Sequence, residues 1–265
     1  MDLHLKGKTA VITGGGTGIG KATALEFAKE GVHIAVCGRR REPLEEMEKI
    51  FRDKQYDFYS EQCDVSDHNA MEEFAWNVYQ KYGSIDIWVN NAGIAIDKAL
   101  LDYTDEDWDQ VMSIDLRAVF DCTRLAAFYM RKGRKGGVIL NASSYASLIP
   151  HANGAIYAAA KSAVSSLTKT SAANLAPYGI RVIGYVPGMI NTGISKESIA
   201  KFGQDLVKNI SLQRLGNPED LAKPLVFLTS DAARYITGTD IEITGGKFAV
   251  QDCSLGWSMA EDQAK

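Results

Sequence analysis

The chain has 265 residues, 46% of them hydrophobic, and a formal net charge of −4. That balance supports a sizeable core and offers no general attraction to nucleic acid or an anionic membrane surface, so neither is an expected partner. Cys37, Cys63, Cys122 and Cys253 lack Cys-x-x-Cys spacing and the four histidines are scattered, so no metal site is expected.

In chain order, strand-like and helix-like segments alternate. The spacing predicts strands near 8–13, 32–37, 58–62, 85–89, 137–142, 180–186 and 240–243. It predicts helices near 18–30, 41–54, 67–82, 104–131, 155–176, 195–210 and 217–230. Such alternation predicts an α/β fold: a single doubly wound Rossmann-type domain with a parallel seven-stranded sheet and helices on both faces. The expected domain spans 1–246, followed by a tail over 247–265. No 18-residue apolar run and no signal-type segment is seen, so a cytoplasmic location is expected.

The first strand runs into Thr13-Gly14-Gly15-Gly16-Thr17-Gly18-Ile19-Gly20 and then a helix. A glycine-rich turn there lets backbone approach a pyrophosphate, whose charge meets the helix N-terminus. The second strand ends in Gly38-Arg39-Arg40-Arg41. An acidic residue at that point would bind a ribose 2′-hydroxyl, whereas an arginine accepts a 2′-phosphate. Arg39 therefore favours NADP(H), with NAD(H) the alternative.

Farther along, Tyr157 and Lys161 stand four apart on a predicted helix and share one face, thirteen residues after Ser144. A nearby ammonium favours phenolate, which makes Tyr157 a candidate general acid/base, and Ser144 is free to hydrogen-bond the reacting oxygen.

These motifs together resemble the short-chain dehydrogenase/reductase family over about residues 5–246. Thr13-Gly14-x-x-x-Gly18-x-Gly20 is similar to its cofactor loop, which also takes in Thr17 and Ile19. Asp64-Val65 is similar to the pair that contacts adenine, and Asn90-Asn91-Ala92-Gly93 to the motif after the fourth strand. Pro187-Gly188, with Ile190 and Thr192, is similar to the segment at the nicotinamide end. The resemblance implies a catalytic set of Ser144, Tyr157 and Lys161, with Lys161 also binding the nicotinamide ribose. One departure stands out: the family's fourth catalytic residue is an Asn that helps hold a water, and here Asp115 occupies that place. Thr244-Gly245-Gly246 replaces the common Asp-Gly-Gly and is expected to be structural.

The expected reaction interconverts a secondary alcohol and a ketone, on a hydrophobic, steroid-like small molecule suggested by the apolar residues around the catalytic segment. Two alternatives stay open: reduction of enoyl or dienoyl thioesters, and a dinucleotide-binding regulator without turnover. Ile199, Phe202, Leu206 and Ile210 form an apolar stripe that reads either as a mobile lid or as core packing, and His151 reads as a loop histidine. Family members pair the helices equivalent to 104–131 and 155–176 between subunits. The expected assembly is a homotetramer, with the apolar tail packed against a neighbouring subunit.

Overall fold

The computed structural model describes residues 2–263. Met1, Ala264 and Lys265, at the outer ends of the expected domain and tail, lie outside the described residues. Seven strands form one parallel sheet: β1 (Thr9–Thr13), β2 (His33–Gly38), β3 (Phe58–Gln62), β4 (Ile87–Asn90), β5 (Gly137–Ala142), β6 (Ile180–Pro187) and β7 (Asp240–Ile243). Their order is β3-β2-β1-β4-β5-β6-β7. The chain reverses direction across the sheet between β1 and β4, and the crevice at that switch point is where ligands bind in such sheets.

The central strands are continuous apolar runs because both faces are covered; Ile34, Ala35, Val36 and Cys37 are all fully buried. One face packs on α1 (Gly18–Lys29), α2 (Arg41–Asp53) and α8 (Pro218–Thr229), through Phe27, Met47, Phe51, Leu221 and Leu225. The other packs on α3 (His68–Tyr82), α5 (Ala118–Gly133) and α6 (Ala155–Leu175), through Phe74, Val78, Met130 and Ala172. Helix starts follow their capping residues. The Asp67 carboxylate accepts from Ala70 N at 3.1 Å, and the Asp220 carboxylate accepts from Asn217 N at 2.8 Å. Among the described residues no helix is long and apolar enough to cross a membrane.

The expected helix over 104–131 runs without interruption from Asp105 to Gly133 but is not α-helical throughout. α4 (Asp105–Met112) passes into one π-helical turn, Ser113–Arg117, before α5 begins. Such a turn inserts a residue without breaking the apolar stripe, so helical periodicity does not reveal it; π-turns of this kind gather at functional sites. This one carries Asp115.

α7 (Lys196–Lys208) contains no buried residue among those described. Phe202 is 47% exposed and Ile194, just before the helix, is 60% exposed. Along this stripe Phe202 lies outside the core, Ile199 and Leu206 are half-buried, and Ile210, beyond the helix, is buried. The tail folds back on its own subunit and ends in α9 (Leu255–Gln263), where Trp257 Nε1 donates to Ser211 O at 2.8 Å.

Candidate active site

The candidate site lies at the carboxyl ends of β1, β4, β5 and β6. At its base, the Thr13 hydroxyl accepts from Asn91 N (3.0 Å) and Ala92 N (3.1 Å). Asn91 Nδ2 donates to Thr13 O at 3.1 Å, and its Oδ1 accepts from Tyr185 OH at 3.2 Å. The glycine turn is thus locked to the β4 end. Gly14 has φ +64°, which a side chain rarely adopts. A Cβ at Gly20 would sit 2.5 Å from Gly14 O and 2.7 Å from Asn91 Nδ2, so only glycine lets α1 start this close to the turn. Thr17, the N-cap of α1, makes no capping bond through its side chain, and no acidic residue occupies the first turn. Gly18 and Thr192 face each other, a Gly18 Cβ falling 3.4 Å from the Thr192 methyl. This cradle, with backbone N–H groups at the start of α1, fits a dinucleotide pyrophosphate.

Arg39 lies exposed at the end of β2, beside the β3 end, where Gln62 Nε2 donates to Arg39 O at 2.9 Å. Arg41 pairs instead with Glu45 at 2.7 Å within α2. Next to it, the Asp64 carboxylate accepts from Ser66 N (2.9 Å) and Ser66 Oγ (2.7 Å), and Val65 is buried. Across the crevice, Gly188 N donates to Ile243 O at 3.1 Å, continuing the sheet beyond Pro187. Ile190 is buried, and Gly216 touches it so closely that a Cβ there would lie 2.4 Å from Ile190 Cδ1. The Thr192 turn is closed by Ser195 Oγ, which accepts from Thr192 N at 3.0 Å and donates to Ile190 O.

Tyr157 and Lys161 share a face of α6 as the spacing requires, with Lys161 Nζ 5.6 Å from the centre of the Tyr157 ring. Tyr157 is half-buried, whereas Lys161 is buried. The ammonium lies 2.8 Å from Asp115 Oδ1 and donates to Ala142 O at 3.1 Å. Burial alone would lower the Lys161 pKa; the Asp115 carboxylate, Tyr157 and the hydrogen bond outweigh it and hold the pKa above the ordinary lysine value. Asp115 Oδ2 accepts from Ile94 N at 3.1 Å, and a Cβ at Gly93 would lie 2.6 Å from Asp115 Oδ1. Gly93 is therefore what lets the carboxylate reach the lysine.

Ser144 follows β5, and its Oγ accepts from Ala146 N at 3.1 Å. The turn after it is tied to α6, where Ser143 Oγ donates to Lys161 O at 3.2 Å and Ser162 Oγ donates to Ser147 O at 3.3 Å. His151 is an exposed loop residue whose Nε2 meets Asp97 Oδ1 at 3.2 Å.

One residue that orients this site carries no sequence motif. Tyr185 orients Asn91, and only its place in an apolar strand marks it as a buried hydroxyl that needs a partner. Asn90 is a buried linker. It accepts from Trp88 Nε1 and donates to Asn141 Oδ1, both at 2.8 Å, and Asn141 donates to Thr168 on α6 at 3.0 Å. A groove of about 1080 Å³ on the outer side of α3, α5 and α6, lined in part by Trp76, Phe120, Phe128 and Leu167, contains none of the expected site residues.

The sequence model of a family described as "Enoyl-(Acyl carrier protein) reductase" matches residues 14–247. A 3-oxoacyl-(acyl-carrier-protein) reductase of Thermotoga maritima is 38% identical over 92% of this chain and 99% of its own length. A 3alpha-hydroxysteroid dehydrogenase of Mediterraneibacter gnavus is 35% identical over 92% of this chain and 98% of its own. Among solved structures, a short-chain type dehydrogenase/reductase from Mycobacterium marinum superposes with a TM-score of 0.90 at 33% identity, covering 94% of this chain and 98% of that one.

Proposed function

The chain belongs to the short-chain dehydrogenase/reductase family, and from that premise we propose that it interconverts a secondary alcohol and a ketone on a bulky hydrophobic substrate with NADP(H). The observation that carries the reading is the contiguous set Tyr157, Lys161 and Asp115 at the carboxyl edge of the sheet, joined to the glycine cradle through Gly93 and Asn91. A nicotinamide dinucleotide, when bound, supplies or accepts the hydride.

The chain's own residues handle position and proton. Tyr157 gives its phenolic proton to the substrate oxygen in reduction and takes it back in oxidation. Ser144 hydrogen-bonds the same oxygen and sets its orientation. Lys161, charged and buried beside the ring, supplies a positive field at the phenol; Asp115 keeps that lysine charged and placed, and tempers its field. Arg39, exposed and with no ion-pair partner among the described residues, suits a 2′-phosphate. Gly14, Thr17, Gly18, Ile19 and Gly20 would hold the pyrophosphate, and Asp64 and Val65 would contact the adenine. Pro187, Gly188, Ile190 and Thr192 would hold the nicotinamide end, and Asn91, Ala92 and Gly93 would contact the cofactor from the end of β4.

The relatives' names describe a 3-oxoacyl group and a hydroxysteroid, a ketone and a secondary alcohol, which favours carbonyl over alkene chemistry. α7, with exposed Phe202 and with Ile194 exposed just before it, acts as an apolar lid. The assembly is a homotetramer built on the outer faces of α5 and α6, where Phe120 and Phe128 are exposed beside Ala159, Ser166 and Ala173; Ala158, Ala160 and Ala172 are buried within the subunit. Oxidation of NADPH and NADH against a panel of hydrophobic ketones and enoyl thioesters tests the reading. Turnover of ketones with NADPH is expected. Turnover of enoyl thioesters alone, or of neither class, would overturn it.

A further inference from the structure

The match to the family ends at residue 247, and 92% of this chain spans 99% of the Thermotoga maritima reductase. Lys247, the last matched residue, and the residues beyond it are folded back and stitched to the segment that follows α7. Lys247 pairs antiparallel with Ile210, Phe248 N donates to Asn209 O at 2.8 Å, and Trp257 Nε1 holds Ser211 O at 2.8 Å. Cys253 is buried beneath this turn.

The clamp sets two side chains against Tyr145, the residue after Ser144. The Phe248 ring stacks on Tyr145 at 5.9 Å and 21°. Lys247 Nζ lies 5.4 Å from the Tyr145 ring centre and 5.7 Å from that of Phe248. Among the described residues no carboxylate lies within ion-pair distance of this ammonium. It is half-buried, and burial alone pushes its pKa below the ordinary lysine value, with no acidic group to offset it. A lysine normally extends its head into water; this one is drawn back over two rings, whose faces supply only part of the missing counter-charge. A desolvated cation without a partner is a costly arrangement that an anion would relieve. Its position fits a ligand rather than a structural ion pair, beside the Ser144 segment and on the segment tied to the end of α7.

We propose that Lys247 is a specificity-determining residue that binds an oxyanion, carboxylate or phosphate, at the end of the hydrophobic substrate remote from its reacting carbon. Phe248 and Tyr145 are positioning residues that hold the ammonium in place. The assignment rests on the ketone/alcohol reading above.

The test is steady-state kinetics of the full chain on two matched substrate pairs. One pair is a steroid keto acid and its methyl ester; the other is a 3-oxoacyl-coenzyme A and the corresponding pantetheine thioester, which lacks the phosphates. The wild type should prefer the anionic member of one pair, and the preference should shrink with added salt. Lys247→Met should lower that preference on the order of ten- to a hundredfold, mainly through KM, and Lys247→Arg should restore most of it. Discrimination in the first pair identifies a carboxylate, in the second a phosphate. Equal kinetics within both pairs, or a preference that Lys247→Met leaves intact, overturns the inference. Where Lys247→Met fails to fold, Lys247→Gln serves as the second variant with the same expected loss, and equal wild-type kinetics within both pairs overturn the inference without any variant. A wild type that reduces none of the four overturns the ketone reading instead.

Discussion

Lys161 Nζ and Asp115 Oδ1 stand 2.8 Å apart, and both residues are buried. A buried pair of this kind gains little over apolar packing, but removing one partner leaves the other charge uncompensated. Here the two charges also sit against Tyr157, so the pair bears on both stability and proton transfer.

Asp115→Ala is expected to lower stability by about 3–5 kcal/mol, read by urea denaturation. Because the Lys161 pKa is raised in the folded protein, the pair's contribution is fully present below the ordinary lysine value of 10.5. It is lost as pH rises through the higher folded value. The deficit of the variant should therefore persist across neutral pH. A variant as stable as the wild type at pH 7 would show that the carboxylate does not support the lysine.

Asp115→Asn keeps an oxygen to accept from Ile94 N but removes the negative charge. The field of Lys161 at the Tyr157 oxygen is then less opposed. The rise of alcohol oxidation with pH should move toward lower pH. An unmoved profile would rule out an electrostatic role for Asp115.

Tyr157→Phe removes the transferable proton and leaves the cradle untouched. A loss of about 10²–10⁴-fold in kcat is expected, with NADPH affinity by fluorescence titration nearly unchanged. Turnover at the wild-type rate would end the assignment.

Arg39→Ala and Gly20→Ala should separate two parts of the cofactor site. The first removes a charge-assisted contact to a 2′-phosphate and should weaken NADPH on the order of ten- to a hundredfold more than NADH. The second puts a methyl 2.5 Å from Gly14 O, forcing the turn open at about 1–3 kcal/mol, and should weaken both cofactors alike. Equal losses of both cofactors in Arg39→Ala would instead assign NAD(H).

Phe128→Glu places a charge on the exposed outer face of α5, where Phe128 is 59% exposed. Sedimentation should then report a mass below four chains while the monomer's circular dichroism is kept. A tetramer that survives this change, and a second one at Phe120, would place the interface elsewhere.

The local code was legible in the sequence to a large extent. Apolar runs such as Ile34–Cys37, glycine at a positive φ in the first turn, and Tyr157 four before Lys161 each express a constraint acting within a few residues. Those constraints predicted the parallel seven-stranded sheet and the ends of most elements. What only the tertiary structure decided acts between residues far apart in the chain. The contact of Asp115 with Lys161 needs a π-turn that leaves the apolar stripe of the helix intact, and a glycine at 93 small enough to admit the carboxylate. The stripe on α7 reads the same whether it meets a core or solvent, because periodicity records a face and not what covers it. The return of the tail to Ser211 and Tyr145 depends on a turn geometry and on one indole N–H finding a free carbonyl forty-six residues away. Composition and spacing carry no trace of such a partner, since it exists only once the rest of the chain has folded.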